Sequence, residues 1–182
     1  MKTAFIIHWT WSWPNKNWFK SVGEHLMKRG YTVIIPGFPI WIEQSLEAWE
    51  KKFEEYTSYI NSETVFIAHS IGPAFVCSVL EKLDTLVDAC YFVSWFLWTL
   101  WLGEFDELNQ TFTEKQFNWE KIKKNGNSFY MCHGSDDPYV PLSNAKQLSE
   151  KLWVEIEIIE KGWHLNSESG YNEFDELLEK IK

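Results

Sequence analysis

The sequence predicts an α/β protein of three layers: a mostly parallel central sheet of about six strands, helices on both faces, and no large lid. Three observations lead there. Short uninterrupted apolar runs such as Val65-Phe66-Ile67-Ala68 alternate with amphipathic segments from one end of the chain to the other. Strands that are apolar on both faces need cover on both faces, which parallel sheets obtain from their crossover helices. The 182 residues, 45% apolar and 24% charged, suit one well-filled core. No linker, repeat or low-complexity tract divides them, so a single domain spanning 1–182 is expected.

Taken in order, Phe5–His8, Thr32–Ile35, Thr64–His69, Ala89–Ser94, Phe129–His133 and Glu155–Ile159 read as strands, each a brief apolar run bounded by turn residues. The segments between them read as helices: Asn17–Arg29, Ser45–Tyr59, Gly72–Leu83, the pair Phe105–Leu108 and Trp119–Lys124, Ser143–Lys151, and Tyr171–Ile181. Gly30 falls just past the first helix, where a left-handed cap belongs. The N-terminus reads as a first strand rather than a signal peptide. The longest apolar stretch, Ala89–Leu102, is too short to span a bilayer.

A net charge of −9 with no basic cluster argues against a nucleic-acid surface, because nothing is there to neutralise phosphates. The acidic excess falls in helix-like segments and reads as solvated faces. Cys77, Cys90 and Cys132 lie scattered inside apolar stretches without metal-ligand spacing. That pattern suits free thiols in a reducing compartment, so a soluble cytoplasmic protein is expected.

In open parallel sheets, ligands bind at the carboxyl ends of the strands. His8, Ser70, Ser94, His133 through Asp137, and His164 all fall at or just past such ends. Ser70 is the sharpest of them. It sits between an apolar strand and a helix in Ala68-His69-Ser70-Ile71-Gly72, with small residues two before and two after it. A strand-to-helix turn of this kind holds a serine hydroxyl exposed, and small neighbours let the turn close. The same position also suits an ordinary helix N-cap. What favours a nucleophile is an Asp-bearing turn, Asp136-Asp137-Pro138-Tyr139-Val140-Pro141, followed by Gly162-Trp163-His164, in the chain order Ser, Asp, His. Asp137, four residues before Pro141, is read as the acid, and Asp136 as a turn-forming residue. His164 is the candidate base. His8 and His69 are read as structural, shaping the oxyanion loop and the elbow. Backbone N–H groups of Ile71 and of Trp9 or Thr10 are the expected oxyanion donors.

These motifs together resemble the small serine hydrolases of the retinoblastoma-binding protein nine family, a compact branch of the α/β-hydrolases. The likeness runs over nearly the whole chain: Ile6-Ile7-His8, Asn17-Trp18-Phe19, Ser45-Leu46-Glu47-Ala48-Trp49, the elbow, Val93-Ser94, the Asp137 turn and the Gly-x-His near the end. It implies a triad of Ser70, Asp137 and His164, no metal or cofactor, and activity towards small esters or amides. Two departures stand out: Trp9, where the family has glycine after the first-strand histidine, and Trp163, where Gly-Gly-His is common.

Those departures belong to a wider anomaly, twelve tryptophans against nine glycines. Trp18, Trp49 and Trp119 fit amphipathic helices. Trp9, Trp11, Trp13, Trp41, Trp95, Trp98, Trp101, Trp153 and Trp163 stand where a small turn residue would be unsurprising. One reading is an aromatic-walled pocket in which Trp9, Trp95, Trp98 and Trp101 surround Ser70. Another is that a codon read as glycine in some bacterial lineages has been written as tryptophan. The expected function is hydrolysis of a small ester through an acyl-enzyme, or transfer of that acyl group to another acceptor. The rival is a weakly catalytic or inactive hydrolase fold that binds an apolar ligand or a protein partner.

Overall fold

The computed structural model describes all residues, 1–182. Six strands form one sheet: β1 (Thr3–Ile7), β2 (Thr32–Ile34), β3 (Thr64–His69), β4 (Val87–Val93), β5 (Gly126–Gly134) and β6 (Ile156–Ile159). Their spatial order is β2-β1-β3-β4-β5-β6, and every neighbouring pair is parallel. The order reverses between β1 and β3, so the crevice beyond their carboxyl ends is where this topology places a ligand.

Seven helices connect and cover the strands: α1 (Phe19–Lys28), α2 (Leu46–Phe53), α3 (Gly72–Lys82), α4 (Glu104–Thr113), α5 (Trp119–Asn125), α6 (Leu142–Leu152) and α7 (Asp175–Lys180). Alternation along the strands divides the core in two. Phe5, Ile7, Phe66 and Ala68 face one apolar cluster with Trp49, Phe53, Phe75, Ile122 and Leu148, drawn from α2, α3, α5 and α6. Ala4, Ile6, Val65 and Ile67 face the other with Phe19, Val22, Leu26, Leu177 and Leu178, drawn from α1 and α7. β3 is buried along its whole length, which accounts for its unbroken apolar run.

Two expected helices differ in form. The predicted helix over Ser45–Tyr59 starts on the Ser45 cap, whose side chain accepts from the Ala48 N–H, but tightens to a 3₁₀ turn over Glu54–Tyr59. The predicted helix over Tyr171–Ile181 shortens to Asp175–Lys180, because Gly170 turns left-handed and Phe174 tucks into the core ahead of it. All three cysteines are free and buried. No helix is long and apolar enough to cross a membrane.

Helix α1 ends on Gly30 in the left-handed region, and the Tyr31 N–H closes back on the Leu26 carbonyl. Helix α6 ends the same way, with the Val154 N–H closing on the Ser149 carbonyl, yet its left-handed residue is Trp153. Trp11, Trp41, Trp101 and Trp163 also have φ between 53° and 62°. A side chain in that region costs about 1–2 kcal/mol per residue, because Cβ crowds the following carbonyl.

Candidate active site

Ser70 occupies the sharp turn between β3 and α3, at φ 59°, with its N–H donated to the Val93 carbonyl of the neighbouring strand. The turn closes tightly because position 72 is glycine. A Cβ there would stand 3.0 Å from the Ile7 carbonyl oxygen and 3.2 Å from that of His8. The Ser70 hydroxyl is buried and has no hydrogen-bond partner among protein atoms. It is therefore not serving as a helix cap, which would need it to accept a backbone N–H.

Asp137 leaves the loop after β5 with its carboxylate almost wholly enclosed. Oδ2 accepts from His164 Nδ1 at 2.8 Å, and Oδ1 accepts from the N–H groups of Tyr139 and Val140, both at 2.9 Å. The turn-forming bonds expected of Asp136 are thus made by Asp137. Asp136 instead reaches across to the His164 loop and accepts the Trp163 N–H at 2.8 Å. With Nδ1 donating to Asp137, His164 keeps Nε2 as its basic nitrogen.

The His164 loop is gripped at one backbone group after another. The His164 carbonyl accepts from His69 Nε2 at 2.8 Å and from Ser94 Oγ at 3.3 Å. Trp18 Nε1 donates to the Leu165 carbonyl, and Asn17 Oδ1 accepts the Ser167 N–H. Gly134, at the end of β5, lies so close beneath the loop that a Cβ would collide with the Trp163 backbone. The sequence places His69 at the elbow and Trp18 on an amphipathic helix, and names neither contact with the His164 loop. The Asn17-Trp18-Phe19 entry was a signal for the Trp18 contact, but nothing in it named the partner.

His8 follows β1 directly and orders the loop there. Its Nε2 accepts the Phe38 N–H at 3.1 Å, and its Nδ1 lies 3.0 Å from the Trp9 carbonyl. Burial pushes its pKa down to about 4, so the ring stays neutral. Thr10 holds the same loop from inside, donating to Asn109 Oδ1 at 2.6 Å and accepting from Gln44 Nε2 at 2.8 Å. The backbone N–H groups of Trp9, Thr10 and Ile71 have no protein acceptor.

Ser70 and His164 lie in the wall of one cleft of about 480 Å³, a volume suited to a small substrate. Trp11, Leu100, Leu102 and Phe105 make its apolar side, and Lys16, Asn17, Asn166 and Glu168 its polar side. Of the expected pocket tryptophans only Trp9 lines this cleft. Trp95 is buried against Phe92 and Trp119 on the α5 side of the sheet. Trp98 and Trp101 project from the β4–α4 connection without reaching the cleft wall. That connection has positive φ at Ser94, Trp101 and Gly103, and it is Leu100 and Leu102 that line the cleft. No group of three or more His, Cys, Asp or Glu side chains is placed to hold a metal ion.

The sequence model of a family described as serine hydrolase matches residues 6–182. The chain belongs to that family. It is 25% identical over 173 residues to the hydrolase YdeN of Bacillus subtilis, covering 93% of this chain and 89% of that one. It is 27% identical over 158 residues to the serine hydrolase RBBP9 of Rattus norvegicus, covering 81% and 78%. The crystal structure of the B. subtilis ydeN product superposes with a TM-score of 0.90 at 24% identity, covering 98% and 96% of the two chains. Est1E from Butyrivibrio proteoclasticus superposes at 0.72 with 15% identity, covering 97% and 83%. This serine hydrolase thus shares the hydrolase fold with both, and the expected resemblance holds.

Proposed function

We propose that this serine hydrolase cleaves small carboxylic esters through an acyl-enzyme on Ser70, with His164 as base and Asp137 as its partner. The observation that carries the reading is the 2.8 Å bond from His164 Nδ1 to a fully anchored Asp137 carboxylate, beside an unpaired Ser70 hydroxyl in the same cleft. Ser70 Oγ attacks the ester carbonyl carbon as its proton passes to His164 Nε2. The negative charge of the tetrahedral intermediate then collects on an oxygen facing the free N–H of Ile71 and that of Trp9 or Thr10, each donor worth about 3 kcal/mol of barrier. Asp137 stabilises the imidazolium without taking its proton. His164 returns the proton to the departing alkoxide, leaving the acyl group on Ser70. A water molecule activated by His164 releases the acid and restores the serine.

The apolar side of the cleft suits a short acyl chain, and its polar side suits the alcohol portion. The free, buried thiols agree with a reducing compartment such as the cytoplasm. A fluorophosphonate should label Ser70 and fail on Ser70→Ala, and p-nitrophenyl acetate should be turned over. A folded chain that is neither labelled nor active would overturn the reading. A second reading, binding without turnover, is favoured by the indoles of Trp9 and Trp11 in the cleft beside a serine that has no bond to its base. Product formation separates the two.

A further inference from the structure

We infer that positions 11, 41, 101, 153 and 163 carry glycine in the protein as its cell makes it, and that the indole at 11 narrows a cleft built to be wider. Seven of the twelve tryptophans fall into two groups that differ in backbone hand and in indole hydrogen bonding. Trp18 and Trp49 are fully buried. Their indole N–H groups donate to the Leu165 and Pro39 carbonyls at 2.9 and 2.8 Å, and both sit in or at the start of right-handed helices. These are the marks of side chains that the fold was built around.

Trp11, Trp41, Trp101, Trp153 and Trp163 have left-handed backbones instead, and supply half of the ten non-glycine residues that do. Glycine is the residue that visits this region without steric penalty, whereas a bulky aromatic there is an outlier. None of their indole nitrogens makes a hydrogen bond to the protein, and Trp101 and Trp153 are 89% and 80% exposed. Trp153 does pass under Lys123 Nζ, 3.4 Å from its ring centroid, and that lysine side chain is 14% exposed.

An internal control is available at Trp153. It closes α6 with the same five-residue hydrogen bond and the same backbone hand with which Gly30 closes α1. One motif, used twice, has glycine in one copy and the largest side chain in the other. Trp163 is held left-handed between the Asp136 carboxylate and the underside contact with Gly134, so its conformation is imposed by the His164 loop. Such a pattern arises when one codon, glycine in the source organism, is read as tryptophan, while the codon at 18 and 49 is tryptophan in both readings.

At the cleft the consequence is geometric. The Trp11 ring lies edge-on to Phe105 at 5.4 Å on the apolar side that Leu100 and Leu102 continue, with Trp41 tilted against it at 5.8 Å outside the cleft lining. Glycine at 11 removes the one indole of the five that lines the cleft, lengthening the space open to an acyl chain.

Two measurements test this independently of catalysis. Peptide mass spectrometry of the protein purified from its own cells should find glycine at all five positions and tryptophan at 18 and 49. Tryptophan at two or more of the five overturns the inference. The chain carrying Trp11→Gly, Trp41→Gly, Trp101→Gly, Trp153→Gly and Trp163→Gly should melt about 10 °C or more above the chain with tryptophan. An unchanged or lower melting temperature also overturns it. In the same pair, p-nitrophenyl octanoate should gain on p-nitrophenyl acetate in relative kcat/KM once the indoles are gone. An unchanged ratio overturns the claim about the cleft.

Discussion

His69 Nε2 lies 2.8 Å from the backbone carbonyl oxygen of His164, so the residue before the nucleophile holds the residue proposed as its base. Burial, and then the neighbouring His164, keep the His69 pKa well below that of an ordinary imidazole. The ring therefore stays neutral and can donate through Nε2 throughout the proposed cycle. Because β3 ends at His69 and Ser70 follows it directly, one strand end sets both the proposed attacking oxygen and the loop that must meet it.

Removing that donor should misplace His164 rather than unfold the chain. His69→Ala is expected to slow fluorophosphonate labelling of Ser70 by about 10- to 100-fold, the scale of an ångström-sized misalignment. His69→Gln keeps a donor and should recover part of the rate. Labelling kinetics at matched folded fraction decide it, and equal rates for both variants would refute the positioning role.

The two adjacent carboxylates should separate cleanly. Asp137→Asn presents an amide to His164 Nδ1 and favours the wrong tautomer, so kcat is expected to fall by about 10⁴-fold. Asp136→Asn retains an oxygen for the Trp163 N–H and should fall far less. Steady-state rates on p-nitrophenyl acetate compare them.

Stability should drop as the medium is acidified from the unfolded histidine value. His8 has its pKa lowered to about 4 against 6.5 when unfolded. Between those values the unfolded chain binds a proton that the folded chain does not, so folding is favoured above pH 6.5 and loses ground down to pH 4. One such group is worth about 3 kcal/mol over the full window. Urea unfolding at pH 7.5 and pH 5 measures the loss, which His8→Gln should reduce.

Thr10→Val removes the hydroxyl that links Asn109 and Gln44 beneath the loop after β1, the proposed oxyanion loop. Leaving buried polar groups unpaired should cost about 1–3 kcal/mol. Ser70 labelling should slow as well, because the N–H groups of Trp9 and Thr10 lose their support. Thermal melts and labelling rates report the two effects separately.

Gly134→Ala should be the most damaging single methyl in the chain. Its Cβ would occupy space held by the Trp163 backbone. The His164 loop would have to lift, costing about 1–3 kcal/mol as overpacking and most of the activity with it. A Gly134→Ala chain with normal melting and labelling would refute this account of the loop.

Much of this molecule could be read along the chain. Each of the six strands lies within a few residues of its apolar run, because a strand covered on both faces must be apolar at every position. The elbow was legible because its geometry demands small residues at fixed offsets from Ser70. The turn after β5 was legible but its bonds were expected of Asp136; Asp137 makes them with one carboxylate oxygen and meets His164 with the other. The pocket was misread. Trp95 and Trp98 follow the strand that borders the site, but sequence distance says nothing about which side of the sheet a connection takes.

Local order therefore came from the sequence alone: strand, turn and cap preferences act over a few residues and leave their mark in composition. Partnership came only from tertiary structure. The grip of His69, Ser94, Trp18 and Asp136 on the His164 loop joins groups as much as 147 residues apart. Three of its four acceptors and one of its four donors are backbone atoms, which every residue possesses. A carbonyl or an N–H carries no residue identity, so the contacts that align the site are invisible until the chain is folded.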